Sequence, residues 1–113
     1  MSNNKKVGII GAGNVGATLA FSLANKNICA EIILKDLRTN VVEAMALDIS
    51  QAAKASKSST KVSFASNAQE FNNCDVIVIT AGIPRKPGMS RDDLLLTNAK
   101  IMTSVINEII LNN

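Results

Sequence analysis

The sequence predicts an α/β domain built on a doubly wound parallel sheet. Short apolar segments alternate with amphipathic ones in the order strand, helix, strand, helix, strand, short link, strand. The predicted strands are apolar at consecutive positions, which is typical of parallel strands that are covered on both faces. Three spaced glycines directly follow the first strand, as at a turn from a strand into a helix. Right-handed crossovers between these elements predict the strand order 3-2-1-4.

The first strand is predicted from about Lys5 to Ile10, and the second from Glu31 to Lys35. Helical periodicity between them predicts a helix that ends near residues 25–27. This helix is expected to turn one apolar face toward the sheet, formed by Val15, Ala17, Leu19, Ala20, Leu23 and Ala24.

A longer helix is predicted from about Asn40 to Ala55. Its apolar positions Val41, Met45, Ile49 and Ala52 repeat near helical spacing. Four more apolar residues widen this surface: Val42, Ala44, Ala46 and Ala53. This surplus predicts either a second contact, with a subunit or another domain, or simply a broad face toward the core.

The third strand is predicted at Lys61 to Ser66, a helical turn at Gln69 to Asn73, and the fourth strand at Asp75 to Thr80. Ser90 and Asp93 form a capping box, which predicts a last helix that begins at Arg91 and continues to Asn112–Asn113.

The turn after the first strand carries the spacing G-x-G-x-x-G at Gly11, Gly13 and Gly16. In a dinucleotide-binding turn, the first glycine permits the bend and the second lets the backbone approach a pyrophosphate. The third lets the helix pack closely on the strand, and the free N–H groups at its start face the phosphates. A glycine-rich turn without a ligand is the alternative, which the pattern alone leaves open.

Asp36 lies at the end of the second strand, 20 residues after Gly16. An acidic side chain at this separation can accept hydrogen bonds from the ribose of a dinucleotide, although an Asp here can also simply cap the next segment. Because a carboxylate repels a 2′-phosphate, the sequence favours NAD over NADP. Arg38, two residues further on, is the feature that opposes this choice.

The segment from Ala81 to Asp93 follows the fourth strand and contains two prolines, two glycines and three cations. Gly82 and Gly88 are candidate hinges of a mobile loop. Arg85 and Arg91 on this loop suit an anionic substrate, because guanidinium binds carboxylate through paired hydrogen bonds. An ordinary solvated basic loop is the alternative for either cation.

Composition argues against several other functions. The 113 residues suit one domain, and the formal charge of +3 comes from dispersed cations, which does not favour nucleic acid as a partner. Four glycines and Asn14 interrupt the uncharged stretch from Val7 to Asn25, so neither a signal peptide nor a membrane span is expected. With no histidine and two cysteines, the sequence predicts no metal site and fits a reducing, cytoplasmic location.

These motifs together resemble the lactate/malate dehydrogenase superfamily, and the string I-P-R-K-P-G-M-S-R-D-D-L-L is similar to its malate dehydrogenase branch. The resemblance covers essentially the whole chain and implies a Rossmann-type NAD-binding domain over residues 1–113. It implies NAD contacts from the turn and from three later residues: Gly11, Ala12, Gly13, Asn14, Val15 and Gly16, with Asp36, Gly82 and Asn98.

The resemblance further implies that Arg85 recognises the second carboxylate of malate or oxaloacetate, and that Arg91 closes onto the substrate. The family's catalytic histidine and aspartate have no counterpart in this chain, so no catalytic residue is expected here. We therefore interpret the sequence as the amino-terminal part of a longer, homo-oligomeric NAD-dependent malate dehydrogenase, inactive alone and lacking the carboxy-terminal substrate domain. A lactate-type 2-hydroxy acid dehydrogenase and a non-catalytic nucleotide-binding module remain the alternatives.

Overall fold

The computed structural model describes residues 4–112 as one four-stranded parallel sheet with helices on both faces. The strand order is β3-β2-β1-β4, which confirms the predicted 3-2-1-4 winding. The strands are β1 (Lys6–Ile10), β2 (Glu31–Lys35), β3 (Lys61–Phe64) and β4 (Val76–Ile79). The helices are α1 (Asn14–Asn25), α2 (Thr39–Ala55) and α3 (Arg91–Asn112), with a single 3-10 turn at Ala68–Phe71.

The central strand β1 pairs with β2 on one side and with β4 on the other, in parallel register. Ile9 lies beside Leu34 and Val78, so three apolar side chains form one row across the sheet. Because side chains alternate between the faces of a sheet, Ile9 and Ile10 belong to different cores. The carboxyl ends of β1, β2 and β4 therefore lie together at one edge.

The larger core lies between the sheet and the helices α1 and α2. The buried positions of α2 are Val42, Ala46, Ile49 and Ala53, whereas Val41 is 39% exposed. All four buried residues belong to the predicted apolar surface, and Met45 packs partly buried against the same core. Val41 is one predicted position that the structure places outside the core. Adjacent residues differ by only about 100° around a helix axis, so the fit against α1, rather than sequence, decides which apolar residue turns inward.

Helix α1 buries small residues against the sheet, with Gly16, Ala20 and Ala24 at intervals of four. The prediction that Val15 faces the sheet was wrong, because its side chain is 71% exposed at the edge where the strands end. Leu19 and Leu23 are partly buried and pack against this core. Small residues let α1 lie close to β1, and the larger ones flank the contact.

The smaller core covers the opposite face of the sheet, and Phe71 is fully buried at its centre. A β-carbon at Gly8 of β1 would overlap the Phe71 ring, so this strand glycine provides the space for the aromatic side chain. Val105 and Ile109 of α3 complete this core.

Helix α3 begins at the predicted capping box. The Ser90 N–H donates to Asp93 Oδ2 at 3.2 Å, and the Asp93 N–H donates to Ser90 Oγ at 3.0 Å. By length and composition alone, Arg91–Leu111 could cross a membrane, with a mean hydropathy of 1.4. No residue of that window is fully buried among the described residues, and Val105 and Ile109 are its partly buried contacts with the smaller core.

Candidate nucleotide-binding site

The turn between β1 and α1 lies where the carboxyl ends of the central strands meet. Gly11 has a φ of +109°, a conformation that side chains rarely tolerate, and its N–H donates to the Lys35 carbonyl of β2 at 2.7 Å. A β-carbon at Gly11 would lie 2.6 Å from Thr80 Oγ1. Gly11 is thus fixed by the neighbouring strand ends on both sides, in agreement with the role predicted for the first glycine.

Gly16 is the point where α1 crosses closest to the turn. A β-carbon at this position would overlap the Gly11 carbonyl oxygen and would lie 2.9 Å from Thr80 Oγ1. Thr80, just after β4, donates its hydroxyl to the Gly11 carbonyl at 3.0 Å. The start of α1 and the end of β4 therefore both contact the turn at Gly11, and only glycine fits at position 16.

Gly13, in contrast, faces open space. It precedes α1 with a φ of −77°, which any residue can adopt, and a β-carbon there would meet nothing within 4 Å. Asn14 and Val15 are also exposed, whereas Ala12 is buried. The fold itself does not require a glycine at position 13, so its small size is available for a ligand.

The N-terminus of α1 offers backbone donors at this open position. No side chain caps the helix, and its first turn contains no acidic residue. The first N–H groups of any helix lack intrahelical acceptors, and the helix dipole adds positive potential at the same end. This combination suits a phosphate group.

The Asp36 carboxylate lies beside the turn, at the end of β2. The Ala12 N–H donates to Asp36 Oδ2 at 2.7 Å, and the Arg38 N–H donates to Oδ1 at 2.9 Å. The Arg38 guanidinium adds two more bonds, from Nε to Oδ1 at 3.0 Å and from Nη2 to Oδ2 at 3.2 Å. The guanidinium is the main reason, followed by the two backbone N–H groups, that the pKa of Asp36 falls to about 2.

These residues fit the adenosine and pyrophosphate parts of a dinucleotide. The open Gly13 and the uncapped helix end would suit a phosphate, and the Asp36 carboxylate would be the acceptor for ribose hydroxyls. The bond from Ala12 to Asp36 holds the two parts of the site in a fixed relation.

Asn98 of α3 anchors the segment after β4. Its Oδ1 accepts from the Ile83 N–H at 2.8 Å, and its Nδ2 donates to the Ile83 carbonyl at 3.2 Å. A β-carbon on Gly82 would lie 3.1 Å from Asn98 Oδ1, at a φ of +157°. Both ends of the Asn98 amide therefore bind the protein's own backbone, and the cofactor contacts of Asn98 and Gly82 stay predictions.

The two loop arginines are exposed. Arg85 Nε donates to the Met89 carbonyl at 3.1 Å, and the Met89 N–H donates to the Lys86 carbonyl, which folds residues 85–89 into a compact turn. Arg91 is the first residue of α3. Within residues 4–112, no hydrogen bond joins either arginine to the glycine turn, so their substrate contacts stay predictions.

Other features of the described residues do not form a competing site. No group of three or more His, Cys, Asp or Glu residues is placed to hold a metal within that part of the chain. Both cysteines are free thiols, and burial raises the pKa of Cys29 and of Cys74. An open groove of about 760 Å³ is lined by α3 residues between Leu96 and Leu111, and none of the predicted site residues lines it.

The fold and the turn define a Rossmann-type dinucleotide-binding domain. Residues 5–112 match the family described as "lactate/malate dehydrogenase, NAD binding domain". The chain belongs to this family, and NAD is its cofactor.

Three similar proteins illustrate the relationship. The malate dehydrogenase of Aliarcobacter butzleri (strain RM4018) is 62% identical over 111 residues, which make up 98% of this chain and 35% of that protein. The structure of malate dehydrogenase from Archaeoglobus fulgidus in complex with NADH superposes with a TM-score of 0.88 at 34% identity, covering 95% of this chain and 36% of that one. The minor L-lactate dehydrogenase from Enterococcus mundtii, in its ligands-bound form, has a TM-score of 0.86 at 30% identity, covering 96% and 34%. This chain thus spans about a third of the length of its relatives.

Sequence reasoning missed three residues that shape the site. The Thr80 hydroxyl hydrogen-bonds to the turn from the end of β4, and Gly8 leaves room for the Phe71 ring against β1. The Arg38 guanidinium hydrogen-bonds to the Asp36 carboxylate. A hydroxyl at a strand end and a glycine inside a strand were the available signals for the first two. Arg38 was noted only as a charge, because its pairing depends on the local backbone after β2.

Proposed function

We propose that the protein that carries this chain is an NAD-dependent malate dehydrogenase, which catalyses reversible hydride transfer from malate to NAD and yields oxaloacetate and NADH. The observation that carries the proposal is the family's NAD-binding turn joined to a loop with two exposed arginines, in a chain 62% identical to a malate dehydrogenase. The nearly equal TM-scores of malate and lactate dehydrogenases indicate that the fold does not choose the substrate. Side chains of the loop must do so.

Arg85 is the residue that we propose to select a dicarboxylate. Its guanidinium is exposed on a loop held by Asn98 at one end and by the capping box at the other. A single bond from Nε to the Met89 carbonyl leaves both terminal nitrogens available. A guanidinium can then bind a carboxylate through two parallel bonds, which a monocarboxylate substrate does not need at that end.

The roles of the remaining residues follow from their positions. The glycine turn and the N-terminus of α1 would hold the pyrophosphate, and Asp36 the adenosine ribose. When bound, NAD accepts the hydride from the alcohol carbon of malate. Arg91 would close onto the substrate oxygen. Because the sequence contains no histidine, we place the proton acceptor in the additional length that the relatives have.

A contact between subunits is part of the proposal. Val41 and Leu47 of α2 are exposed, and Leu37 just before the helix is 93% exposed. These apolar side chains agree with the predicted surplus on α2, and they support an interface between copies of the protein. Gel filtration with light scattering would test this: a dimer or larger assembly is expected, and a monomer at tens of micromolar contradicts it.

Steady-state kinetics on the complete enzyme test the substrate choice. With NADH, Arg85→Gln should lower kcat/KM for oxaloacetate by roughly 2 to 5 kcal/mol of transition-state binding, about 30-fold or more, and should leave the low activity on pyruvate nearly unchanged. Lys86→Gln removes the same charge from the same loop and should have a small effect.

Three results would redirect the proposal. Equal losses on oxaloacetate and pyruvate would make Arg85 a structural residue. A wild-type preference for pyruvate would favour a lactate-type enzyme, and absence of NADH oxidation with any 2-oxo acid would favour a nucleotide-binding module.

A further inference from the structure

The edge of the sheet opposite the glycine turn collects lysines that are dispersed in the sequence. In a parallel α/β fold every strand starts at one edge, and each crossover helix returns the chain to that edge. Strand starts and helix ends therefore lie together. Five exposed lysines occupy such places, and we call them the basic end: Lys5, Lys26, Lys54, Lys57 and Lys61.

Two hydrogen-bonded pairs join the loop after α1 to the loop after α2. Ser56 Oγ donates to Asn25 Oδ1 at 3.3 Å. Ser58 Oγ donates to Asn27 Oδ1, also at 3.3 Å. The residue between the two asparagines and the residue between the two serines are both lysines, so the fold holds two like charges side by side. Such charges repel each other unless an anion lies against them.

Helix dipoles account for only part of this arrangement. Lys26 is the C-cap of α1 and Lys54 lies in the last turn of α2, where a cation interacts favourably with the helix end. Lys5 and Lys61 lie at the starts of β1 and β3 instead. Neighbouring strands are about 4.8 Å apart, so these two starts are separated by about 10 Å, close to one Debye length. The lysines therefore act as one positive field.

The carboxylates at the strand starts do not balance the basic end. Glu31 begins β2 and lies opposite Lys61 in register, and Asp75 lies 3.9 Å from Lys5. Five cations and two anions leave an excess of three, equal to the formal charge of the whole chain, +3. The remaining charged residues balance, with seven of each sign. The net positive charge is thus concentrated at the end of the molecule that is distant from the NAD site.

The residue types at the basic end favour a lipid surface as the partner. Its loops contain no arginine and no aromatic residue, which nucleic-acid binding would use for paired hydrogen bonds and for stacking. Ile28, two residues after Lys26, is 48% exposed, so an apolar side chain lies among the cations. Lysines around an exposed apolar side chain suit an anionic membrane, because the ammonium groups bind head groups and the apolar group enters the interface.

We propose that the basic end is a docking surface for an anionic phospholipid bilayer, on which the protein lies without spanning it. Charge complementarity supplies the attraction, and Ile28 supplies the apolar contact. The glycine turn lies at the opposite edge of the sheet, so the NAD site would face away from the bilayer and stay open to solvent.

Cosedimentation of the complete protein with phospholipid vesicles tests the proposal. Binding is expected to vesicles of mixed phosphatidylcholine and phosphatidylserine, and it should fall steeply as salt is added. Vesicles of phosphatidylcholine alone should bind little protein. Lys26→Gln combined with Lys57→Gln should weaken binding to the mixed vesicles on the order of 20-fold, since each lysine near an anionic surface contributes about fivefold.

Two further variants make the result specific. Lys35→Gln combined with Lys100→Gln removes the same charge from the end of β2 and from the middle of α3, and it should change vesicle binding little. Ile28→Ser keeps every charge and should weaken vesicle binding about three- to tenfold, because the apolar contact is lost. Circular dichroism of each variant verifies the fold.

The readout is vesicle binding, so its result is independent of the enzyme's substrate. Equal binding to the two vesicle compositions, or equal losses for the two double-lysine variants, would overturn the proposal. Tighter binding to double-stranded DNA of mixed sequence than to the vesicles, unaffected by Ile28→Ser, would also overturn it and would assign the basic end to nucleic acid.

Discussion

The two faces of the sheet differ in how completely they are covered. On one face, α1 and α2 bury Ile9, Ile32 and Leu34 fully. On the other, the cover consists of the segment around Phe71 and one side of α3, and no described side chain of α3 is fully buried. The difference teaches that the glycine turn and Asp36 are positioned by the larger, fully covered core, whereas the loop that carries Arg85 lies beside the smaller, partly covered core.

The edge strand shows the same contrast. Central strand β1 is buried along four of its five residues, whereas β4 has one neighbour and its Val76 is 53% exposed. The predicted order 3-2-1-4 already places β4 at the edge, beside β1 alone, and its intermediate burial agrees with that place in the described sheet. The loop with Arg85 leaves the sheet from this strand.

The largest expected effect concerns Phe71, because this single side chain fills the centre of the smaller core. Phe71→Ala should lower the free energy of unfolding by about 3 to 5 kcal/mol, measured by urea denaturation, since it removes a fully buried ring and leaves a cavity. Leu96→Ala on the exposed side of α3 is the control and should stay within about 0.5 kcal/mol. A loss below 1 kcal/mol for Phe71→Ala would mean that this face hardly contributes to stability.

The pH dependence of stability is a smaller expected effect, and it concerns Asp36 on the side of the larger core. Hydrogen bonds lower the pKa of Asp36 to about 2, from about 3.9 in an unfolded chain. Its contribution is therefore full above about pH 5 and is lost as the pH falls from about 4 to about 2. The stability difference between wild type and Asp36→Asn, measured by urea denaturation at each pH, should shrink over that window. A constant difference for Asp36→Asn down to pH 2 would contradict the shift.

The sequence predicted the strand order, most element ends to within one or two residues, and the meeting of Gly11, Gly16 and Asp36. Those features depend on local pattern and on the fixed hand of crossovers. It did not predict that Val42 rather than Val41 turns inward, that Val15 is exposed, or that Arg38 covers Asp36. Each of these depends on which side chains pack together in the folded protein, and the local spacing of residues does not specify those contacts.

Two glycines of the turn differ in what limits their size: we propose that a ligand limits Gly13, whereas the fold limits Gly16. Gly16 has no room for a β-carbon, so Gly16→Ala should cost about 1 to 3 kcal/mol of stability and weaken NADH binding with it. Gly13 has open space and an ordinary φ of −77°, but it is the N-cap of α1, where glycine is favoured over alanine. This cost opposes the entropy gain of a Gly→Ala change, so Gly13→Ala should leave the free energy of unfolding within about 1 kcal/mol of the wild type.

The Kd of Gly13→Ala for NADH, measured by calorimetric titration beside its unfolding free energy, is the most direct test. We predict an affinity on the order of tenfold weaker or more in a variant about as stable as the wild type, because the added methyl group keeps a phosphate from the backbone. An unchanged Kd in that equally stable variant would contradict the account, since Gly13 would then serve neither the fold nor the ligand.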